Sequence, residues 1–189
     1  MPHVIELATS GRAKCRGCGE RIAKGERRFG ERLPNPYADD EGEMTHWFHV
    51  DCAAFKRPEP FLELATSEGL AIEDRERLVH EAQLGVAHHR LPRAHTAARA
   101  PSGRARCRAC REAIDKGAWR ISLVYYEEGR FVPSGFIHVR CASSYVGTTA
   151  VIDRVKRFSP ELGDAELSAI QAEVTRTAGN PAVPDTGPP

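Results

Sequence analysis

An α+β protein in two small modules, each a short antiparallel sheet with flanking helices, is what these 189 residues predict. Three observations carry that expectation. Shifted by 92 positions, the stretch from Ser10 to Arg28 meets Ser102 to Arg120 with twelve identities in nineteen positions. The repeat resumes at an offset of 89, where His49, Val50, Cys52 and Ala53 meet His138, Val139, Cys141 and Ala142. All six cysteines of the chain fall into two matching sets. A change of loop length between segments that stay in register is ordinary for surface loops.

Each copy reads alike along the chain. A Cys-x2-Cys turn leads through Lys-Gly into a strand, over Arg27 to Leu33 and again over Trp119 to Tyr126. A variable loop comes next, and then a second strand into a histidine, over Thr45 to Val50 and over Gly135 to Val139. A helical start comes after the last cysteine. In copy one Ile72, Val79 and Ala82 share a helical face with Leu78 beside it. In copy two Asp164 is the expected N-cap, with Leu167, Ile170 and Val174 as the apolar stripe. These patterns divide the chain into a first module over 1–85, a linker without period over 86–101, a second module over 102–176 and a disordered tail over 177–189.

Charged residues make up 28% of the chain and aromatics only 7%, so two cores built from it are thin and call for a staple. The net charge of +1 names no partner by itself, but its distribution does. Arg12, Lys14, Arg16, Arg21, Lys24, Arg27, Arg28 and Arg32 crowd one short segment, opposed only by Glu20, Glu26 and Glu31. Local basic patches on a neutral chain predict a polyanionic partner. The sequence shows no secretory leader and no apolar run of membrane length, which predicts an intracellular protein with reduced thiols and no membrane partner. Arginine in excess over lysine and abundant alanine fit a GC-rich, bacterial genome, hence cytoplasm or nucleoid rather than nucleus.

In that setting the cysteines read as metal ligands. Cys15, Cys18, His49 and Cys52 are spaced C-x2-C-x30-H-x2-C, and Cys107, Cys110, His138 and Cys141 are spaced C-x2-C-x27-H-x2-C. Zinc in structural sites takes four thiolate and imidazole ligands, so two Zn²⁺ per chain close without water. A redox-active Cys-x2-Cys leaves the two His-x2-Cys pairs unexplained. A catalytic zinc needs an open position, so no enzyme activity is expected. His46 is a candidate to support a ligand; the remaining histidines read as surface or linker residues. Three thiolates on Zn²⁺ leave a charge of about −1, which nearby Arg12, Arg16, Arg104 or Arg108 would offset. That role accounts for one arginine per site and leaves the others over.

The motif "SGRAKCRGC…KGERRFGE…HWFHVDC" resembles the PARP-type zinc finger, found in tandem at the start of poly(ADP-ribose) polymerases and singly in a nuclear DNA ligase. The segment "LELATSEGLAIEDRERL" is similar to the one C-terminal to such a finger. The resemblance implies recognition of DNA strand breaks without reading of sequence. It implies phosphate contacts from Arg12 and Arg104, and from the strand arginines Arg28 and Arg120, with Ser10 and Ser102 adding neutral contacts. Lys14, Arg16, Arg27 and Arg106 extend the basic surface. It further implies apolar residues of the variable loop on bases exposed at the break: Met44 in copy one, Phe131 and Val132 in copy two. Copy one's loop is acidic, "YADDEGEM", and copy two has "GFIH" where copy one has a tryptophan. The expected function is therefore a non-enzymatic, zinc-dependent sensor of nicked or broken duplex DNA, with DNA-repair enzymes as further partners. The alternative is a zinc-stabilised protein-interaction module that has lost break binding.

Overall fold

Two three-stranded antiparallel sheets carry the repeat, in the orders β1-β2-β3 and β4-β5-β6. The computed structural model describes residues 2–35, 42–67, 71–88, 90–148 and 150–178. Most of the acidic loop of copy one and the tail beyond residue 178 lie outside these. The chain divides into two units, one of Met1–His89 with Tyr126–Phe131, the other of Arg90–Tyr125 with Val132–Pro189.

In the first unit β1 (Val4–Leu7) pairs with β2 (Arg27–Pro34), which pairs with β3 (Glu43–His49). Helices α1 (Val50–Lys56), α2 (Pro58–Ala65) and α3 (Arg75–Ala87) complete it. Proline at the first position of α2 presets the helical φ where no backbone donor is needed. The core is aromatic. Phe29, Phe48 and Phe61 are fully buried, with ring centroids 6.2–6.3 Å from Phe29 to each of the others. Gly30, opposite Trp47 in the ladder, admits that ring: a Cβ there would lie 2.7 Å from the indole and 2.8 Å from Val4.

The second sheet is formed by β4 (Arg93–Arg99), β5 (Trp119–Glu127) and β6 (Arg130–His138), and lies in the second unit except for Tyr126–Phe131, which groups with the first. A 3-10 turn (Val139–Cys141) leads to α4 (Ala142–Val146), α5 (Val151–Phe158) and α6 (Asp164–Ala178). Its core is aliphatic, with Ile114, Ile121, Leu123, Ile137, Val139, Val151 and Ile170 all buried in one cluster with Trp119.

Several sequence expectations need correction. The span 86–101, read as a linker, contains β4, an edge strand of alanine and basic residues. Side chains complete its ladder where the register shifts: Ser159 Oγ accepts from Ala97 N at 2.7 Å and Ser122 Oγ from Thr96 N at 3.1 Å. Helix α3 begins at Arg75, so Ile72 precedes it, and the buried face is Leu78, Glu81, Ala82 and Gly85. In α6 the capping carbonyl belongs to Gly163, which accepts from Glu166 N and Leu167 N, and Asp164 is the first helical residue. The stripe itself stands: Ile170 and Val174 are buried and Leu167 half-buried.

Candidate metal centres and nucleic-acid interface

Each knuckle is shaped by the same backbone bonds. Cys15 N donates to Glu20 O and Gly19 N to Cys15 O, both at 2.8 Å; Cys107 N donates to Glu112 O at 2.8 Å and Arg111 N to Cys107 O at 2.9 Å. The turn needs a left-handed residue after the second cysteine. Copy one supplies Gly19 (φ 84°), whereas copy two puts Arg111 there (φ 65°), a conformation rare for a side-chain-bearing residue. The His-x2-Cys half runs from the end of β3 or β6 into a helical turn, so the imidazole leaves the sheet just as the cysteine enters the helix.

The four ligand atoms of Cys15, Cys18, His49 and Cys52 lie within 4.8 Å of one another, as do those of Cys107, Cys110, His138 and Cys141. In both groups imidazole Nδ1 faces the second cysteine, at 3.4 Å from Cys18 Sγ and from Cys110 Sγ. The far nitrogen is anchored: His49 Nε2 lies 3.5 Å from Glu26 Oε1 and His138 Nε2 3.1 Å from Ala113 O. An Nε2 proton directed at those oxygens leaves Nδ1 as the free lone pair, the arrangement that orients a metal-binding histidine. Backbone N–H groups of His49 and His138 approach Cys15 Sγ and Cys107 Sγ at 3.3 Å and stabilise thiolate. Burial pushes the Cys52 thiol up while hydrogen bonds from Cys15 and Cys52 pull Cys18 down. Three such sulfurs share one place only around a cation, and Cys3His suits Zn²⁺. Bound there, zinc would cross-link two halves of a module.

The two centres differ in their surroundings. At the first, Cys15, His49 and Cys52 are buried; at the second, Cys110 is exposed and Cys141 half-buried. Buried Lys56 donates from Nζ to Gly17 O at 2.6 Å in the first knuckle. Burial pulls its ammonium down to about 7, against the thiols of Cys52, Cys15 and Cys18, which hold it up. The buried cation beside the first centre is thus a lysine, where the sequence suggested an arginine. His46 is buried with Nδ1 2.9 Å from Tyr126 Oη, so its ring serves that contact and is no support to a ligand. Burial, with Arg16 and Arg57, lowers its pKa, while Glu31 opposes the shift.

The first of these two Cys3His centres lies inside a stretch that matches a known family. Residues 6–89 match the family described as "Poly(ADP-ribose) polymerase and DNA-Ligase Zn-finger region". Over these residues the first module is similar to the PARP-type zinc finger. Relatives extend the likeness into the second. Poly [ADP-ribose] polymerase 1 of Gallus gallus is 31% identical over 137 residues, covering 64% of this chain and 13% of that protein. Poly [ADP-ribose] polymerase of Sarcophaga peregrina is 25% identical over 174 residues, covering 81% of this chain and 17% of that protein. Poly [ADP-ribose] polymerase 1 of Caenorhabditis elegans is 34% identical over 88 residues, 44% of this chain and 9% of that protein. The chain therefore spans less than a fifth of the length of these relatives, and the part that matches is their zinc-finger region.

Around the two Cys3His centres the basic residues alternate with the ligands. Arg12, Lys14 and Arg16 are exposed while Ala13 is half-buried and Cys15 buried; Arg104, Arg106 and Arg108 repeat this with Ala105 and Cys107. The middle cation of each set lies on an isolated bridge, Lys14 to Arg21 and Arg106 to Ala113. Arg12, Arg16, Arg104 and Arg108 sit in the turns that flank these bridges, and all six cations are exposed. Ser10, Ser102 and Arg27 are half-buried.

The strand arginines, expected to be equivalent, are not. Arg28 is 8% exposed, stacked 3.5 Å over Trp47, and donates from Nη2 to Glu6 Oε1 at 2.6 Å. Arg120 is stacked 3.7 Å over Phe136, and its buried Nε makes no hydrogen bond among the described residues. The difference lies one strand away: β1 sets Glu6 opposite Arg28, and β4 sets Ala98 opposite Arg120.

The apolar candidates sit on strands, where the sequence had put them on loops. Met44 lies in β3 opposite Leu33, half-exposed. Phe131 and Val132 lie in β6. The Phe131 ring packs against Tyr126 at 5.1 Å and Phe48 at 6.4 Å, with Lys56 Nζ 5.1 Å from its centre. Among the described residues no helix is long and apolar enough to cross a membrane.

Proposed function

We propose that the chain is a non-enzymatic, zinc-dependent DNA-binding protein that recognises nicks or ends of duplex DNA without reading sequence, and acts in DNA repair beside repair enzymes. The observation that carries this reading is the repeated outward row of cations, Arg12-Lys14-Arg16 and Arg104-Arg106-Arg108, one residue out of phase with a metal ligand. Zinc, by holding each knuckle against the distant His-x2-Cys turn, fixes those rows in a rigid surface. Phosphate contacts of this kind give sequence-independent affinity that falls steeply with salt. Arg120, stacked on Phe136 with Ala98 rather than a carboxylate across the ladder, is the strand arginine that adds to the surface directly. Met44 and Val132 are the apolar candidates left to cover a base face that an intact duplex hides, since Phe131 is engaged by two rings.

Titration of nicked, blunt-ended and intact duplexes at rising salt tests the reading. Binding to the broken duplexes is expected to exceed binding to the intact one. With six to ten phosphate contacts it falls by roughly 10³–10⁵ between 50 and 200 mM salt. Equal and negligible binding of all three at low salt sinks it. Glu6→Gln sharpens the test. It frees Arg28 of its counter-charge without unstacking it from Trp47, so affinity for broken DNA should rise, and chiefly at low salt. An unchanged or weaker affinity would mean that Arg28 serves only the fold.

A further inference from the structure

The second module carries a concavity that shares only Arg108 with the outward rows of cations. It has a volume of about 220 Å³ and is lined by Arg90, Pro92, Arg108, Ala109, Arg111 and Tyr145. Three guanidiniums line it, with no carboxylate among the lining residues. Two of the lining guanidiniums have partners, and the third is placed by its backbone. Arg108 Nη1 donates to Ser134 O and Oγ, both at 2.9 Å. Arg90 lies 4.7 Å over the ring of Tyr145. Arg111 occupies the left-handed position of the knuckle, where its backbone is strained and its carbonyl accepts from Arg106 Nη1 at 3.3 Å.

The repeat shows that this concavity is no by-product of the fold. Copy one builds the same knuckle with Gly19 in place of Arg111, and has Lys56 where copy two has Tyr145. The arginine and the ring that define the wall thus belong to copy two alone. Copy one takes the relaxed residue at the turn; copy two keeps the strained one.

We infer that this pocket binds a terminal phosphate group, a phosphomonoester. The chemistry selects it over the diester of a continuous strand. A monoester offers three terminal oxygens and a charge of about −1.5 to −2, enough for several planar donors at once. A diester carries one charge and continues in both directions, so a concavity cannot close around it. Two sources share that chemistry: a phosphorylated strand end and a free nucleotide. The strand-end source rests on the DNA-break reading; the pocket itself does not.

The test uses the full, zinc-loaded chain in two arms. In the first, inorganic phosphate and a nucleoside 5′-monophosphate are titrated into ¹⁵N-labelled protein. The amides of Arg111 and Tyr145 are expected to shift saturably, and Arg111→Gly, which keeps the turn and relaxes it, abolishes the shift. In the second arm, nicked duplexes with a 5′-phosphate and with a 5′-hydroxyl are compared. The phosphorylated nick should bind about tenfold more tightly, a preference that Arg111→Gly removes. A response in the first arm with no DNA binding would support the pocket and reject break sensing. No response in the first arm and equal affinity for both nicks overturns the pocket and leaves break sensing standing.

Discussion

Stripping zinc from the full chain with a strong chelator is expected to unfold both modules. A structural Cys-His zinc site contributes about 10–16 kcal/mol at neutral pH, while an entire small domain is stable by only about 5–15 kcal/mol. Here the ligands join the knuckle of Cys15 and Cys18 to His49 and Cys52 at and beyond the end of β3, alongside the bonds from Arg16 N to Trp47 O at 2.8 Å and from Lys56 Nζ to Gly17 O at 2.6 Å. Without a cation the first centre brings three sulfurs and buried Lys56 together with no metal charge to balance them. The second centre should empty first, because Cys110 is exposed and Cys141 half-buried whereas Cys15 and Cys52 are buried. Native mass spectrometry would then pass from two zincs to one to none, with circular dichroism lost in two steps. A chelated chain that still melts cooperatively at the original temperature would remove zinc from the account of the fold.

Replacing Arg120 by alanine should cost the largest share of DNA affinity of any single arginine. A hydrogen bond to a charged group contributes about 1.5–3 kcal/mol, hence a loss of roughly ten- to a hundredfold. The salt slope should also fall by about one phosphate equivalent. Zinc content should hold, and the melting temperature should fall less than for Arg28→Ala, since the stack on Phe136 is lost but Ala98, not a carboxylate, faces Arg120 across the ladder. Arg28→Ala should do the reverse. It leaves Glu6 and Trp47 without their partner, so it costs stability more than affinity. Equal losses of DNA binding in the two variants would show that Glu6 does not restrain Arg28.

Much of this was legible in the sequence, and the exceptions have physical causes. The metal sets were readable because ligand spacing is a local constraint, and because the repeat supplied the same spacing twice. The strands after each Lys-Gly were readable because the repeat sets the same turn before each. Strand β4 was not, because Arg93–Arg99 has little β-propensity and completes its ladder with hydroxyls of Ser122 and Ser159, the latter 62 positions from Ala97. The burial of Arg28 was hidden for a similar reason, since Glu6 meets it only across the sheet, 22 positions away. A signal did exist for Arg111: the repeat sets it against Gly19 at the one place in the knuckle where glycine is expected.

Gly30 bears on the history of the two copies. Its missing side chain makes room for Trp47, on which Arg28 rests. The repeat sets Ser122 and the smaller Phe136 at those places, and Ser122 spends its hydroxyl on Thr96. The copies are therefore matched in pairs, with the large ring set against the absent side chain and the small ring against the present one. Strands exchanged singly between the modules would put tryptophan against serine, or leave a void beneath phenylalanine. Such chimeras are expected to recombine productively only when the central strand and its neighbour travel together.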